Sequence, residues 1–186
     1  GFMFAPNYHS AMRFVGPVRK KIGKRTIFNM IGPLSSPALV TRQVVGVFDK
    51  KLLKIFAESL KNLNIKFAWI VNSEDGLDEI SPYAKTNVIQ LKDGEISEII
   101  IDPQLLNINA EKFDNLVGND AKYNASKMIE IFKGKDNDFS KAVCLNAAAG
   151  LMVSEKYNNF ELAYNYTREF IETGVAYNHL VKIQNA

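Results

Sequence analysis

QVVGVFDKKLLKIFAESLKNLNIKFAWIV, residues 43–71, decides the fold. Its first six residues, 43–48, are rich in β-branched side chains and read as a short buried strand. Asp49 stands where a helix cap is needed. Leu52, Leu53, Phe56, Ala57, Leu60 and Leu63 then recur at i, i+3 and i+4, the apolar stripe of an amphipathic helix. Residues 66–71 (KFAWIV) return to a continuous apolar run, a second strand. Strand, helix and strand at this spacing form a βαβ unit, which requires parallel strands and a right-handed crossover.

Downstream, the strand at 66–71 runs into an acidic loop whose centre is Gly76-Leu77-Asp78-Glu79-Ile80-Ser81-Pro82. Residues 86–91 and 95–101 flank Asp93-Gly94, a strong hairpin signal, so an antiparallel pair should extend the sheet. Residues 102–119 read as loop with one helical turn at 103–106. Three helices follow, at about 122–133, 139–156 and 159–173, with a break at Gly174 and a short tail helix after it. The helix at 139–156 is apolar almost all round, which predicts the most buried helix of the chain. Neither internal repeats nor low-complexity segments occur.

Upstream lies GFMFAPNYHSAMRFVGPVRKKIGKRTIFNMIGPLSSP, residues 1–37. Pro17 is unwelcome inside a helix and favoured at its first position. The reading is therefore a turn or two over 9–14, then a fresh helix from 17 to 22 ended by Gly23. Met12, Val15, Val18 and Ile22 make its apolar stripe, with Arg19 beside it. Thr26 can cap a second short helix over 27–31, stopped by Gly32-Pro33.

Composition narrows the class. The 186 residues suit one domain or slightly more and are enough to bury roughly 70% of the unfolded surface. Hydrophobic residues at 47% and charged residues at 23% are those of an ordinary globular protein. A net charge of +3 is weaker and less clustered than nucleic-acid modules show. The one basic cluster is Arg19, Lys20, Lys21, Lys24 and Arg25, a solvated face or phosphate neighbour. A single cysteine, Cys144, excludes an internal disulfide and suits a reducing compartment. No apolar run reaches the roughly 18 residues of a membrane helix, and no leader is visible. Cytoplasm is the expected location, and neither membrane nor nucleic acid is expected as a partner.

From the residues alone, the chemical candidates have ordinary readings. Arg19 is a helix-face arginine in a basic run, hence solvated. His9 is a capping or core-satisfying histidine, and Tyr8 and Met12 are core. Gly32-Pro33 is a helix stop. Cys144 is inert core, and Asn146 needs a hydrogen-bond partner if buried. Asp78-Glu79 is either a solvated acidic turn or a magnesium site, because Mg²⁺ takes one or two carboxylates together with substrate phosphates and water. Its loop follows a parallel strand, at the carboxyl end where open α/β sheets bind ligands.

The runs Phe2-x-Phe4-Ala5-Pro6, Tyr8-His9-x-Ala11-Met12, Pro17-Val18-Arg19 and Arg25-Thr26-Ile27-Phe28-Asn29-x-Ile31-Gly32-Pro33-Leu34 resemble the anthranilate phosphoribosyltransferases. Gly76–Ser81 and the Leu145-Asn146-Ala147-Ala148-Ala149 core fit the same family, and the resemblance covers essentially the whole chain. Departures are small: Ser10 stands where a Pro usually follows the His, and Ser35-Ser36 replaces Thr-Asn. The family's glycine-rich pyrophosphate loop and its Lys-His-Gly-Asn motif do not occur, so the chain resembles the C-terminal half of such an enzyme, beginning inside a strand.

The resemblance implies an α/β fold: a mixed, mainly parallel sheet with flanking helices and an antiparallel hairpin, formed by residues 1–7 and 41–186. Residues 8–40 would be a helical insertion belonging to a smaller all-α domain, through which the family forms homodimers. It implies transfer of the phosphoribosyl group from phosphoribosyl pyrophosphate to the amine of anthranilate, a step of tryptophan biosynthesis. Arg19 would bind the acceptor's carboxylate, His9 would line the acceptor's path, and Pro33 would border its channel. Asp78 and Glu79 would hold Mg²⁺, and no residue is assigned as acid or base. A fragment of this kind is expected to be inactive alone. A pyrimidine nucleoside phosphorylase and a nucleic-acid-binding relative without activity are the alternatives; the Arg25–Asn29 run and the Asp-Glu pair argue against the first, and the mild charge against the second.

Overall fold

The structure is a computed structural model that describes residues 3, 7–8, 12–24, 26–111 and 113–185. The chain divides into two compact units, Gly1–Thr41 and Arg42–Ala186.

Among the described residues, the smaller unit is built from one α-helix and a series of tight turns. Helix α1 spans Met12–Ile22 with Pro17 inside it, so the break expected before Pro17 does not occur. Two facts make this tolerable. Pro17 is the sixth residue of α1, so only one helical hydrogen bond, to the carbonyl four residues earlier, is given up. The residue before proline is normally driven out of the helical region by a clash at its Cβ, and here that residue is Gly16. The helix expected over 27–31 is shorter, a 3-10 turn at Ile27–Asn29. It continues into turns in which Ile31 N–H donates to Ile27 O (3.1 Å) and Ser35 N–H to Gly32 O (3.2 Å). Pro33 lies in these turns and is exposed.

The larger unit is built on a four-stranded sheet in the order β1-β2-β3-β4. Strand β1 (Arg42–Gly46) runs parallel to β2 (Phe67–Ser73). Helix α2 (Leu52–Asn62) connects them, the βαβ unit that the alternation of 43–71 predicts. Strands β3 (Thr86–Lys92) and β4 (Glu95–Ile101) add two antiparallel pairs. The hairpin turn is Asp93-Gly94, both at positive φ (48° and 85°), as a two-residue turn of this hand requires. The sheet is thus mixed, with one parallel pair and two antiparallel ones.

Two details differ from the sequence reading. Only Val45 of β1 is buried, because β1 ends the described sheet and lacks a strand on its outer side. Asp49 does not cap α2, whose preceding residue is Lys51; its carboxylate accepts the Lys51 N–H at 2.9 Å, shaping the turn before the helix.

Strand β2 is buried along its full length, since helices cover both its faces. Alternation sends Ala68 and Ile70 to one face and Phe67, Trp69 and Val71 to the other. Helix α2 packs on β2 and β3, bringing Leu53, Phe56, Ala57 and Leu60 into the first layer of the core. On the opposite face Phe67, Trp69 and Val71 join Cys144, Leu145, Ala148 and Ala149 of α4 (Asp138–Val153) and Ala163, Tyr164 and Ile171 of α5 (Phe160–Glu172). Among the described helices α4 buries the most residues, as its apolar composition predicts. Asn137 and Ser140 close a reciprocal capping box at its start. Helices α3 (Ala121–Phe132) and α6 (Val175–Gln184) lie outside this layer, with Ile131 as the inward anchor of α3. Between β4 and α3, the turn expected at Pro103–Leu106 is present, and a second one forms at Phe113–Leu116.

Gly46 closes β1 against the loop that follows β2. A methyl group placed on it would lie 1.6 Å from the carbonyl oxygen of Asp78. Its φ is not positive, so glycine is needed for the close approach and not for its conformational freedom. Gly46→Ala should therefore lower stability by roughly 1–3 kcal/mol, the usual range for overpacking, read as a shift of the urea midpoint at constant slope. An unchanged midpoint would mean that the loop yields without cost.

Candidate active site

The loop from 74 to 85 joins β2 to β3 and carries the acidic pair. Its frame is made of local hydrogen bonds. Ser73 N–H donates to Leu77 O (2.9 Å), Gly76 N–H to Ser73 O (3.0 Å) and Glu74 N–H to Lys85 O (2.9 Å). Inside this frame Ser81, fully buried, is a hub. Its hydroxyl donates to Asp75 Oδ2 at 2.5 Å and accepts the N–H groups of Tyr83 (3.0 Å) and Ala84 (3.3 Å). Its own N–H reaches the hydroxyl of buried Thr86 at 3.2 Å. Asp75 is therefore committed to shaping the loop, whereas Asp78 and Glu79 are exposed.

Contacts with β1, α4 and neighbouring turns fix the loop to the rest of the fold, three of them close to the acidic pair or at the loop's far end. At Asp78 the backbone rests on Gly46 at the carboxyl end of β1. At Ile80 both backbone polar groups are taken by the carboxamide of Asn146 on α4. At Tyr83 the phenol donates to Asp138 Oδ2 at 3.0 Å. Beneath them Asn72 Nδ2 donates to Val47 O (2.8 Å), tying the ends of β1 and β2 together. The pair Asp78-Glu79 thus sits at the carboxyl ends of the two parallel strands, where ligands bind in open α/β sheets.

The electrostatics of the pair suit a cation. Partial loss of water raises the Glu79 carboxyl above the usual carboxylate range, and the neighbouring Asp78 charge adds to the rise. Two adjacent carboxylates that repel each other gain from a shared divalent ion. They supply hard oxygen donors of the type magnesium takes in ones and twos, leaving positions for phosphate and water. Among the described residues no cluster of three or more acidic, histidine or cysteine side chains could enclose a metal by itself. The donor set fits an ion shared with a phosphorylated substrate, not an all-protein cage.

The residues singled out in the smaller unit fall differently. His9 lies outside the described residues. Arg19 belongs to α1, and its side chain lies outside the described part of the structure. Within the unit 42–186, a mostly apolar cavity of about 410 Å³ is lined by residues including Trp69, Gln90, Ile101, Met152 and Phe160. It shares no lining residue with the acidic loop.

Residues 1–177 match the model of the glycosyl transferase family, a/b domain. The chain belongs to this family. Within the family it is 78% identical over 185 residues to the anthranilate phosphoribosyltransferase of Pelagibacter ubique, covering 100% of the chain and 56% of that protein. The crystal structure of anthranilate phosphoribosyltransferase from Thermus thermophilus superposes with a TM-score of 0.86 at 31% identity, over 98% of this chain and 54% of that one. The Saccharomyces cerevisiae enzyme in complex with PRPP and Mg superposes with a TM-score of 0.80 at 25% identity, over 91% and 49%. The chain spans about half the length of the curated relatives it matches.

Sequence reading missed Gly46, Asp138 and the reach of Asn146. A glycine within QVVGVF is a signal of close backbone approach, and a lone carboxamide in an apolar helix is a signal of a buried partner. Asp138 had no such mark. It is 3% exposed and accepts from Tyr83 Oη, Asn115 Nδ2 (2.8 Å), Glu111 N–H (3.0 Å) and Lys141 Nζ (3.2 Å). Desolvation alone would raise its pKa, but the bonds from Asn115, Glu111, Lys141 and Tyr83 outweigh it and hold the carboxyl at about 2. The folded pKa lies below the ordinary value of 3.8. Its stabilisation is therefore complete above about pH 4 and is lost as pH falls through 2. Asp138→Asn should cost about 2 kcal/mol at pH 6, and the gap to the unsubstituted chain should close towards pH 2 in urea titrations. A gap independent of pH would contradict this.

Proposed function

We propose that this chain acts as the C-terminal portion of an anthranilate phosphoribosyltransferase, which transfers a phosphoribosyl group from phosphoribosyl pyrophosphate to anthranilate in tryptophan biosynthesis. What carries the reading is an acidic pair held at the carboxyl ends of two parallel strands, in a chain 78% identical to an enzyme of that name. Residues 1–7 and 41–186 belong to the α/β domain in this reading, and residues 8–40 to a smaller helical domain that forms a homodimer in the cytoplasm.

In the reaction the amine of anthranilate forms a bond to C1 of the ribose as the bond from C1 to pyrophosphate breaks, with inversion at that carbon. The amine proton is lost to solvent. Anthranilate's amine is weakly basic and neutral at pH 7, so no strong base is needed. Arg19 binds the acceptor's carboxylate through its planar fork of donors and turns the amine towards C1, a proximity effect. Arg19 is the eighth of the eleven residues of α1, beyond the reach of the helix N-terminus, so the attraction for an anion comes from its guanidinium alone. His9 lines the acceptor's path and Pro33 stiffens the turn beside it. Asp78 and Glu79 would hold a magnesium ion, which would supply positive charge opposite the departing pyrophosphate.

Two variants, made in a full-length enzyme carrying this chain, test the reading through the loss of anthranilate fluorescence. Arg19→Ala should raise KM for anthranilate by roughly 10- to 100-fold, the range for one charged hydrogen-bonding partner, with little change for the donor. Equal effects on both substrates would make Arg19 structural. Asp78→Asn with Glu79→Gln should shift the magnesium titration of the rate to higher concentrations, and an unchanged titration would remove the metal assignment.

A further inference from the structure

We propose that Asn146 is a positioning residue for the acidic pair, fixing the backbone next to Glu79 so that both carboxylates meet one cation. The proposal rests on the reading of Asp78 and Glu79 as magnesium ligands. Ile80 N–H donates to Asn146 Oδ1 at 2.9 Å, and Asn146 Nδ2 donates to Ile80 O at 3.0 Å and to Ala142 O at 2.9 Å. The carboxamide therefore meets the Ile80 peptide groups as a neighbouring strand would, one donor and one acceptor side by side. Its second N–H, spent on its own helix, fixes the orientation of the group, because a flipped amide would set donor against donor. A carboxamide sets its donor and its acceptor side by side in one plane without any change of protonation, and that of Gln would stand one methylene further from the helix.

The position of this bracket matters more than its strength. Ile80 is 1% exposed and anchors the loop in the core. Two residues earlier, the Asp78 carbonyl presses on Gly46. Asp78 and Glu79 thus lie between two backbone points that cannot shift, one set by β1 and the other by α4. Few backbone rotations remain for the residues between them, so the side chains leave the loop in defined directions. Helix α4 does not need the bracket for its own attachment, since Cys144, Leu145, Ala148, Ala149 and Val153 bury its core face. Groups that orient metal ligands in this way commonly change affinity by about 10- to 100-fold when removed.

The test uses the chain itself and Mn²⁺ as probe, with affinity read from paramagnetic broadening of amide signals on titration with manganese chloride. Asn146→Leu, similar in volume and without hydrogen-bonding groups, should weaken broadening of the signals from 76–82 by about tenfold in Mn²⁺ concentration and speed hydrogen exchange of the Ile80 amide. Cys144→Ala, which removes buried packing from the same helix, should lower thermal stability without moving either signal. Asn146→Ser serves the same purpose with a group too short to reach Ile80, should the leucine variant fold poorly. Asp78→Asn with Glu79→Gln should abolish the local broadening. If that double variant broadens as the unsubstituted chain does, the metal reading fails and the proposed role of Asn146 with it. If it loses the broadening while Asn146→Leu or Asn146→Ser keeps it, only the positioning role falls. A shift in Cys144→Ala equal to that of the Asn146 variants would also overturn it, since loss of stability alone would then suffice.

Discussion

The larger unit is arranged so that the backbone of one loop can touch the backbone of one strand. Asp78 lies on Gly46 with no room for a Cβ between them, and this contact joins the carboxyl end of β1 to the segment following β2. A parallel pair places both strand ends on the same side of the sheet. The crossover helix α2 and the loop that carries the acids are the two things that leave from those ends. Without the close approach the acids would stand on an ordinary surface turn, free to point anywhere.

The core exists to make that arrangement rigid. β2 is covered on both faces, so it cannot tilt towards either layer without opening a void, which costs more as the void grows. On the side of α4 and α5, Trp69 stacks near Phe160 with ring centroids 5.7 Å apart, and its indole N–H donates to Gln90 at 3.0 Å. α4 itself reaches the loop twice, through Asn146 at Ile80 and through Asp138 at Tyr83. A single buried helix thus sets the position of both halves of the acidic loop. At the far end of the same helix the Arg42 guanidinium donates to Val153 O at 2.9 Å and pairs with Glu155, which Lys92 also approaches at 3.1 Å. These partly exposed pairs contribute little each, but they tie β1 and β3 to the end of α4.

Much of this was legible in the chain. The periodicity of 52–63, the hairpin at Asp93-Gly94 and the apolar character of 139–156 are local signals, and the structure repeats them, although α4 ends at Val153, three residues sooner than expected. What was not legible depended on contacts between distant segments. Pro17 passed through a helix because the residue before it happens to be glycine. Asp49 lost its place as a cap because the turn before α2 took its carboxylate first. Asp138 carried no mark in the sequence, and only the arrival of Tyr83, Asn115 and the Glu111 backbone makes it a buried anion. For the acidic pair, sequence supplied the residues and the strand before them, while the strand end and the carboxamide that hold them came from 32 residues upstream and 66 residues downstream, as the contacts of Gly46 with Asp78 and of Asn146 with Ile80 show.

The most direct measurement is a crystal structure of a full-length enzyme carrying this chain, grown with manganese and pyrophosphate and recorded with anomalous scattering. A metal peak should stand within bonding distance, about 2.0–2.3 Å, of carboxylate oxygens of Asp78 and Glu79 or of waters they hold, shared with a pyrophosphate oxygen. A pyrophosphate bound with its metal elsewhere, and with Asp78 and Glu79 facing only solvent, would contradict the role given to the pair.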